Sequence, residues 1–199
     1  MRTFCITLPE YSRHELLARR HFEAMKLNVD FIWGISGEHF GLYTNHTYEV
    51  DNPGSGHTKS PAEIGCFLSH YMVWSICKQL PDDYFLILED DVRFACNAKA
   101  RIAKALTTCP SDWDILYIGS CNCSGKVTTK VTDELYVVSE PHCTHAYMVR
   151  KKALSVLLST QRDVYAPIDI SMAFHALPLL KTYVLLPRAA EQLNHPLNP

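Results

Sequence analysis

Tyr84-Phe85-Leu86-Ile87-Leu88-Glu89-Asp90-Asp91 is an apolar run that stops on three acids. Upstream it is bounded by the turn signal Pro81-Asp82-Asp83, and its length and composition are those of a buried strand. Three carboxylates at one strand end repel one another unless something positive lies among them. In an open α/β sheet, ligands bind just beyond the carboxyl ends of the strands, where a divalent cation carrying a phosphorylated ligand is held. The triplet therefore reads as a metal-diphosphate site. A polar loop whose acids face water is the alternative.

Working outward, Ser60-Pro61-Ala62-Glu63 opens a helix, with proline at its first position and glutamate at its third. Its body, Ile64 to Gln79, turns Ile64, Phe67, Leu68, Tyr71, Trp74 and Cys77 inward and feeds the acidic strand. At the start of the chain, Thr3 to Leu8 reads as a strand and Pro9-Glu10-Tyr11 as a turn. Ser12 and Glu15 form a capping box for a helix whose apolar stripe includes Leu17, His21, Ala24 and Met25. Val29 to Ile35 is a second strand, and a strand-helix-strand unit this compact implies a right-handed parallel crossover. Residues 36–59 are irregular and polar, and a loop of that length is expected to form one wall of a site.

Further strands are predicted over Asp112 to Gly119, Tyr136 to Ser139, Cys143 to Arg150 and Lys181 to Leu186, with a helix over Lys151 to Ser159. Strands alternating with helices, without repeats or a linker, predict one α/β domain with a mostly parallel central sheet.

The bulk numbers narrow the function. The 199 residues suffice for one domain with a sizeable core. A net charge of −2 offers no basic face for nucleic acid. No apolar stretch approaches the ~20 residues of a membrane span. The first eight residues lack the apolar length of a signal peptide, so the eight cysteines are expected as reduced thiols in a cytoplasmic protein. Cys121-Asn122-Cys123 and His142-Cys143-Thr144-His145 also offer soft ligands for zinc, at a spacing unlike the usual fingers. Oligomeric state stays open.

Glu63-Ile64-Gly65-Cys66-Phe67-Leu68-Ser69-His70, then Trp74, then Leu86-Ile87-Leu88-Glu89-Asp90-Asp91-Val92, resembles glycosyltransferase family 25. This is the family of lipooligosaccharide and procollagen galactosyltransferases. Ile6-Thr7-Leu8 with Arg13, Asp112 to Gly119, Thr144-His145-Ala146-Tyr147, Pro167-Ile168-Asp169 and Pro187 to Gln192 extend the likeness along nearly the whole chain. One departure is Thr7, where the family usually has asparagine.

The resemblance implies a GT-A type, Rossmann-like fold, a UDP-sugar donor, Mn²⁺ and inversion at the anomeric carbon. The acceptor is a hydroxyl on a glycan or a hydroxylysine-type protein. On the same basis Asp91 is the main metal ligand, Glu89 or Asp90 meets the ribose or a coordinated water, and His195 is a candidate third metal ligand. Arg13, Glu63, Ser69 and His70 are donor-proximal. Inversion needs a base for the acceptor hydroxyl. Asp169 is the first candidate, with helix capping as its alternative role, and Asp114 the second. The competing classes are a nucleotide-sugar-binding module without turnover and a zinc-stabilised interaction module.

Overall fold

A computed structural model describes residues 1–42, 47–48, 57–121 and 126–193. Its strands are β1 (Arg2–Thr7), β2 (Asp30–Trp33), β3 (Thr47–Tyr48), β4 (His57–Thr58), β5 (Tyr84–Glu89), β6 (Val92–Phe94), β7 (Ile115–Gly119), β8 (Val127–Lys130), β9 (Leu135–Val138), β10 (Ala146–Arg150), β11 (Thr182–Leu185) and β12 (Ala190–Gln192). The helices are α1 (Ser12–Ala24), α2 (Pro61–Gln79), α3 (Ala98–Thr108), α4 (Leu154–Thr160) and α5 (Ile168–His175).

Eight strands form one sheet in the order β2-β1-β5-β10-β7-β11-β9-β8. Strands β2, β1 and β5 run parallel, as the crossover argument requires. The sheet as a whole is mixed, not mostly parallel. Strand β10 lies antiparallel between β5 and β7, and β9 is antiparallel to both β11 and β8. Parallel neighbours need a long crossover, usually helical. Between Gly119 and Ala146 the described residues contain no helix, and every strand entered from that stretch pairs antiparallel.

Alternation along the strands divides the core. Phe4, Ile6, Phe85, Ile87, Ile115, Tyr117, Tyr147 and Val149 face one layer with α2, α4 and α5. Cys5, Leu86, Leu88, Leu116, Ile118 and Met148 face the other with α1 and α3. Both faces are covered, which is why the strands read as unbroken apolar runs.

The capping box on Ser60 forms as expected. Ser60 Oγ accepts from the Glu63 amide at 3.2 Å, and Glu63 Oε2 accepts from the Ser60 amide at 2.7 Å. The box expected on Ser12 does not form. Pro9–Tyr11 is a 3-10 turn that runs straight into α1, so Ser12 is already helical and Glu15 pairs with Arg19 at 2.7 Å instead. Of the expected stripe, Leu17 stays exposed, and Ala18 and Phe22 carry the packing.

The short ladder β6–β12 was not legible beforehand. It folds the segment after Pro187 back across the acids, with Gln192 opposite Val92 and the Leu193 amide donating to the Asp91 carbonyl at 2.9 Å.

Candidate active site

A cleft of about 410 Å³ opens at the carboxyl ends of β1 and β5, between the start of α1 and the first half of α2. That is the size of a small-molecule ligand site. The β2–α2 loop forms one wall through Ile35, Ser36, Gly37 and Glu38. Two glycines let it approach. A Cβ on Gly65 would lie 2.4 Å from the Ile35 carbonyl, and one on Gly37 would lie 1.6 Å from the Pro61 carbonyl. Ser69 locks the contact: its hydroxyl donates to the Gly65 carbonyl and accepts from the Ile35 amide, each at 2.7 Å. Of the loop expected over residues 36–59, positions 43–46 and 49–56 lie outside the described residues.

The three acids line the cleft, each with different partners. Glu89 Oε1 accepts from Thr144 Oγ1 at 2.8 Å and lies 3.2 Å from His70 Nε2. Burial pushes its carboxyl up, but the bond and charge of His70, with His145 and Thr144, hold it below the usual carboxylate range. Asp90 Oδ2 accepts from Thr7 Oγ1 at 2.6 Å, and Asp90 Oδ1 is 4.0 Å from His14 Nδ1. The threonine that departs from the family pattern thus still supplies a donor to the triplet. Burial raises the Asp90 carboxyl above its ordinary value.

Asp91 differs from both. Its Oδ2 accepts from Gln192 Nε2 at 2.8 Å, while its Oδ1 is buried with no hydrogen-bond partner among the described residues. Burial first, and the Glu89 charge second, push this carboxyl up to about 7. A buried carboxylate oxygen with nothing to accept from is a standing electrostatic deficit. Hard oxygen donors of this kind suit Mg²⁺ or Mn²⁺, so the residues fit the expected metal.

Behind Glu89 runs a buried polar chain. Trp74 Nε1 donates to the Tyr147 hydroxyl at 2.7 Å, and that hydroxyl lies 3.0 Å from His70 Nδ1. With Tyr147 accepting from Trp74 and donating to Nδ1, His70 donates from Nε2 toward Glu89. His70 is therefore fully buried, touches the acid triplet and lines the cleft.

The other expected residues divide. Glu63 is absorbed by the capping box and does not line the cleft; its neighbour Ala62 does. Arg13 is exposed on α1 and, with Arg93, lines a neighbouring recess of about 240 Å³ that shares His14, Asp90 and Asp91 with the cleft. Asp114 precedes β7, at the opposite end of the sheet. Its Oδ1 is 2.8 Å from Lys152 Nζ and its Oδ2 accepts from the Lys181 amide at 2.9 Å, so it is satisfied and remote from the acids. Asp169, the second residue of α5, bonds the Ile170 amide through Oδ1 and the Cys143 amide through Oδ2, both at 2.8 Å. It ties the strand-entry segment 142–145 to α5 and is not among the residues that line the cleft. His195 lies outside the described residues.

Cys143 precedes β10 with a left-handed φ of 67° instead of sitting in the strand, and it is disulfide-bonded to Cys121. That pairing overturns the expectation of reduced thiols at these two positions. Cys5, Cys66, Cys77, Cys96 and Cys109 are free. Sequence reasoning missed Tyr11 and His14 in the cleft, and Thr144 and Gln192 as partners of the acids. Thr144 belonged to a quoted motif, whereas Gln192 gave no signal beyond its place in a weak terminal segment.

A three-layer sandwich with an acidic triplet and a ligand-sized cleft at the strand ends has the architecture of GT-A type glycosyltransferases. Solved structures agree at the level of fold. A glycosyltransferase involved in glycosylation of the major capsid of PBCV-1 superposes with a TM-score of 0.55 at 11% identity, covering 97% of this chain and 92% of that one. The galactosyltransferase LgtC, solved with donor and acceptor sugar analogues, gives 0.52 at 10% identity, covering 98% and 88%.

Residues 1–172 match the profile of glycosyltransferase family 25 (LPS biosynthesis protein), and the chain belongs to that family. The human inactive glycosyltransferase 25 family member 3 is 32% identical over 115 residues, 55% of this chain and 19% of that protein. Human procollagen galactosyltransferase 2 is 38% identical over 71 residues, 34% of this chain and 11% of that protein. The chain thus spans a fifth or less of these relatives' length. No helix among the described residues is long and apolar enough to cross a membrane.

Proposed function

We propose that this chain is an inverting, Mn²⁺-assisted glycosyltransferase that moves a hexose, galactose in our reading, from a UDP-sugar to a hydroxyl on a glycan or a hydroxylysine-type protein. The observation that carries the proposal is the buried, unpartnered Oδ1 of Asp91 at the rim of the cleft.

Tyr11 with Ile6, Leu8 and Ile35 gives the cleft an apolar lining suited to a nucleoside. Asp91, with Glu89 beside it, would hold the metal, and Asp90 would meet the ribose. When bound, Mn²⁺ supplies Lewis-acid neutralisation of the charge that builds on the diphosphate leaving group. Thr7, Thr144, His70 and Gln192 fix the carboxylates in position, so little reorganisation is needed as the donor arrives. Asp114 is set aside as a base because of its place at the far end of the sheet. Asp169 remains the candidate base: each of its oxygens accepts one amide and keeps a second lone pair for the acceptor proton.

The human relative named inactive favours a second reading, in which the cleft holds a nucleotide sugar without turnover. A panel of nucleotide sugars with Mn²⁺, scored for released nucleoside diphosphate, separates the two. UDP release from UDP-galactose, accelerated by a hydroxyl acceptor, is the expected result. Binding of the same donors without release would establish the second reading.

A further inference from the structure

The segment entering β10 and the end of β7 bring together three soft ligands that the proposed chemistry does not use. Cys121 follows Gly119 by two residues, and Cys143 and His145 flank Thr144. One sulfur from each cysteine and one ring nitrogen of His145 lie within 4.8 Å of one another. His145 Nδ1 is 4.0 Å from Cys121 Sγ. His145 and Cys121 are buried, and the imidazole fits only because position 119 is glycine: a Cβ there would lie 2.4 Å from His145 Nε2.

We propose that Cys121, Cys143 and His145 form a redox-gated zinc site, closed as the disulfide and opened by reduction. Cys143 is half-buried whereas Cys121 is buried, so Cys143 is the side of the bridge that an external thiol approaches. A thiolate of a dithiol reductant attacks that sulfur and forms a mixed disulfide while the Cys121 thiolate departs. The reductant's second thiolate then displaces Cys143, so two electrons enter the protein and the reductant leaves as its own disulfide. Zinc binding to the freed pair releases two thiol protons to solvent.

The ligand class follows from the donor atoms. Thiolate and imidazole favour zinc, whereas the carboxylates of the acid triplet favour Mg²⁺ or Mn²⁺, so the two sites select different metals. Tetrahedral coordination with Zn–S near 2.3 Å puts two sulfurs about 3.8 Å apart, a separation that small side-chain rotations give once the bond is cut. Three protein ligands leave the fourth position open to water. The redox poise of the compartment then decides between bridge and metal.

The site sits against the acid cluster without being part of it. Cys143 donates its amide to Asp169, the His145 carbonyl accepts from the Glu89 amide at 3.0 Å, and Gln192 Oε1, on the side chain that binds Asp91, is 3.4 Å from Cys121 Sγ.

The test uses the full chain, oxidised or reduced, desalted and titrated with zinc, with metal content and native mass measured. The reduced protein is expected to show two more titratable thiols than the oxidised protein and to take up about one zinc per chain more than the oxidised protein does. Cys121→Ser and His145→Ala should lose the zinc, while Cys66→Ser, at the other cluster of candidate ligands, keeps it. Cobalt in place of zinc should give a thiolate charge-transfer band in the same variants that hold zinc. The proposal is overturned if folded, reduced protein takes up no zinc. It is equally overturned if the oxidised protein or a Cys121→Ser/Cys143→Ser double variant binds as much zinc as the reduced wild type, or if reduction unfolds the chain by circular dichroism.

Discussion

Two aspartates, Asp114 buried and Asp91 partly buried, stand at opposite ends of the sheet. Asp114, ahead of β7, has both carboxylate oxygens occupied, one by the Lys152 ammonium and one by the Lys181 amide. Asp91, after β5, has one oxygen held by a neutral amide and the other held by nothing, with no Lys or Arg ion pair among the described residues. Even Arg93 turns its guanidinium to the carbonyls of Val92 and Asp90 instead. A buried charge balanced by the chain is structural, whereas one left unbalanced is where an external cation is stabilised most. From sequence the two residues look alike, as acids at strand ends. Only the charges around them separate a candidate metal anchor from a brace.

The sharpest way to break this comparison is to neutralise each acid. Asp91→Asn should lower Mn²⁺-dependent donor turnover by about 10²–10³-fold, the range expected when several kcal/mol of charge stabilisation is removed. Asp114→Ala should leave turnover within about twofold and lower stability by about 1–3 kcal/mol, because the Lys181 amide loses its acceptor. Equal turnover losses from both would erase the distinction.

The same contrast predicts a pH dependence for the metal-free protein. Asp91 titrates near 7 in the folded state against an ordinary value of 3.8, so the folded state holds its proton more tightly than the unfolded chain does. Its contribution is fully present below about 4 and is lost as the pH rises through about 7. Thermal unfolding without metal should show this decline, Mn²⁺ should restore stability at pH 7.5, and Asp91→Asn should flatten the curve. A metal-free protein equally stable across that window would contradict the placement of Asp91.

Gly65→Ala tests the wall of the cleft. The new methyl would meet the Ile35 carbonyl and must push the loop off α2. We expect donor KM to rise about tenfold with a stability loss of about 1–3 kcal/mol, the usual range for overpacking. An unchanged KM would detach the loop from donor binding. Smallest of all, Glu63→Ala should lower stability by about 1 kcal/mol through the lost cap and leave donor KM alone.

How much of this was legible in the sequence depends on how local the signal is. The acidic strand end, the Ser60 cap and the parallel pairing of the first strand-helix-strand unit are set by neighbours a few residues apart, and all three formed as read. The direction of β10 was not legible, because antiparallel insertion depends on which strands flank it in space. Nor were the partners of the acids: Thr7, Thr144 and Gln192 reach the triplet from β1, the β10 entry and β12, across 83, 55 and 101 positions of chain. The Cys121–Cys143 bridge spans 22 positions and was hidden by the same non-locality. Asp114 misled because a strand-end acid carries no mark of which end of the sheet it occupies.

The central claim is that the open oxygen of Asp91 anchors a divalent cation beneath the donor's diphosphate. Titrating UDP calorimetrically into the wild-type chain and Asp91→Asn, with and without Mn²⁺, tests it most directly. Mn²⁺ should tighten UDP binding to the wild type by at least about tenfold and leave Asp91→Asn unaffected, a coupling of roughly 1.4 kcal/mol or more. Equal tightening in both proteins would contradict the account and move the metal to another set of ligands.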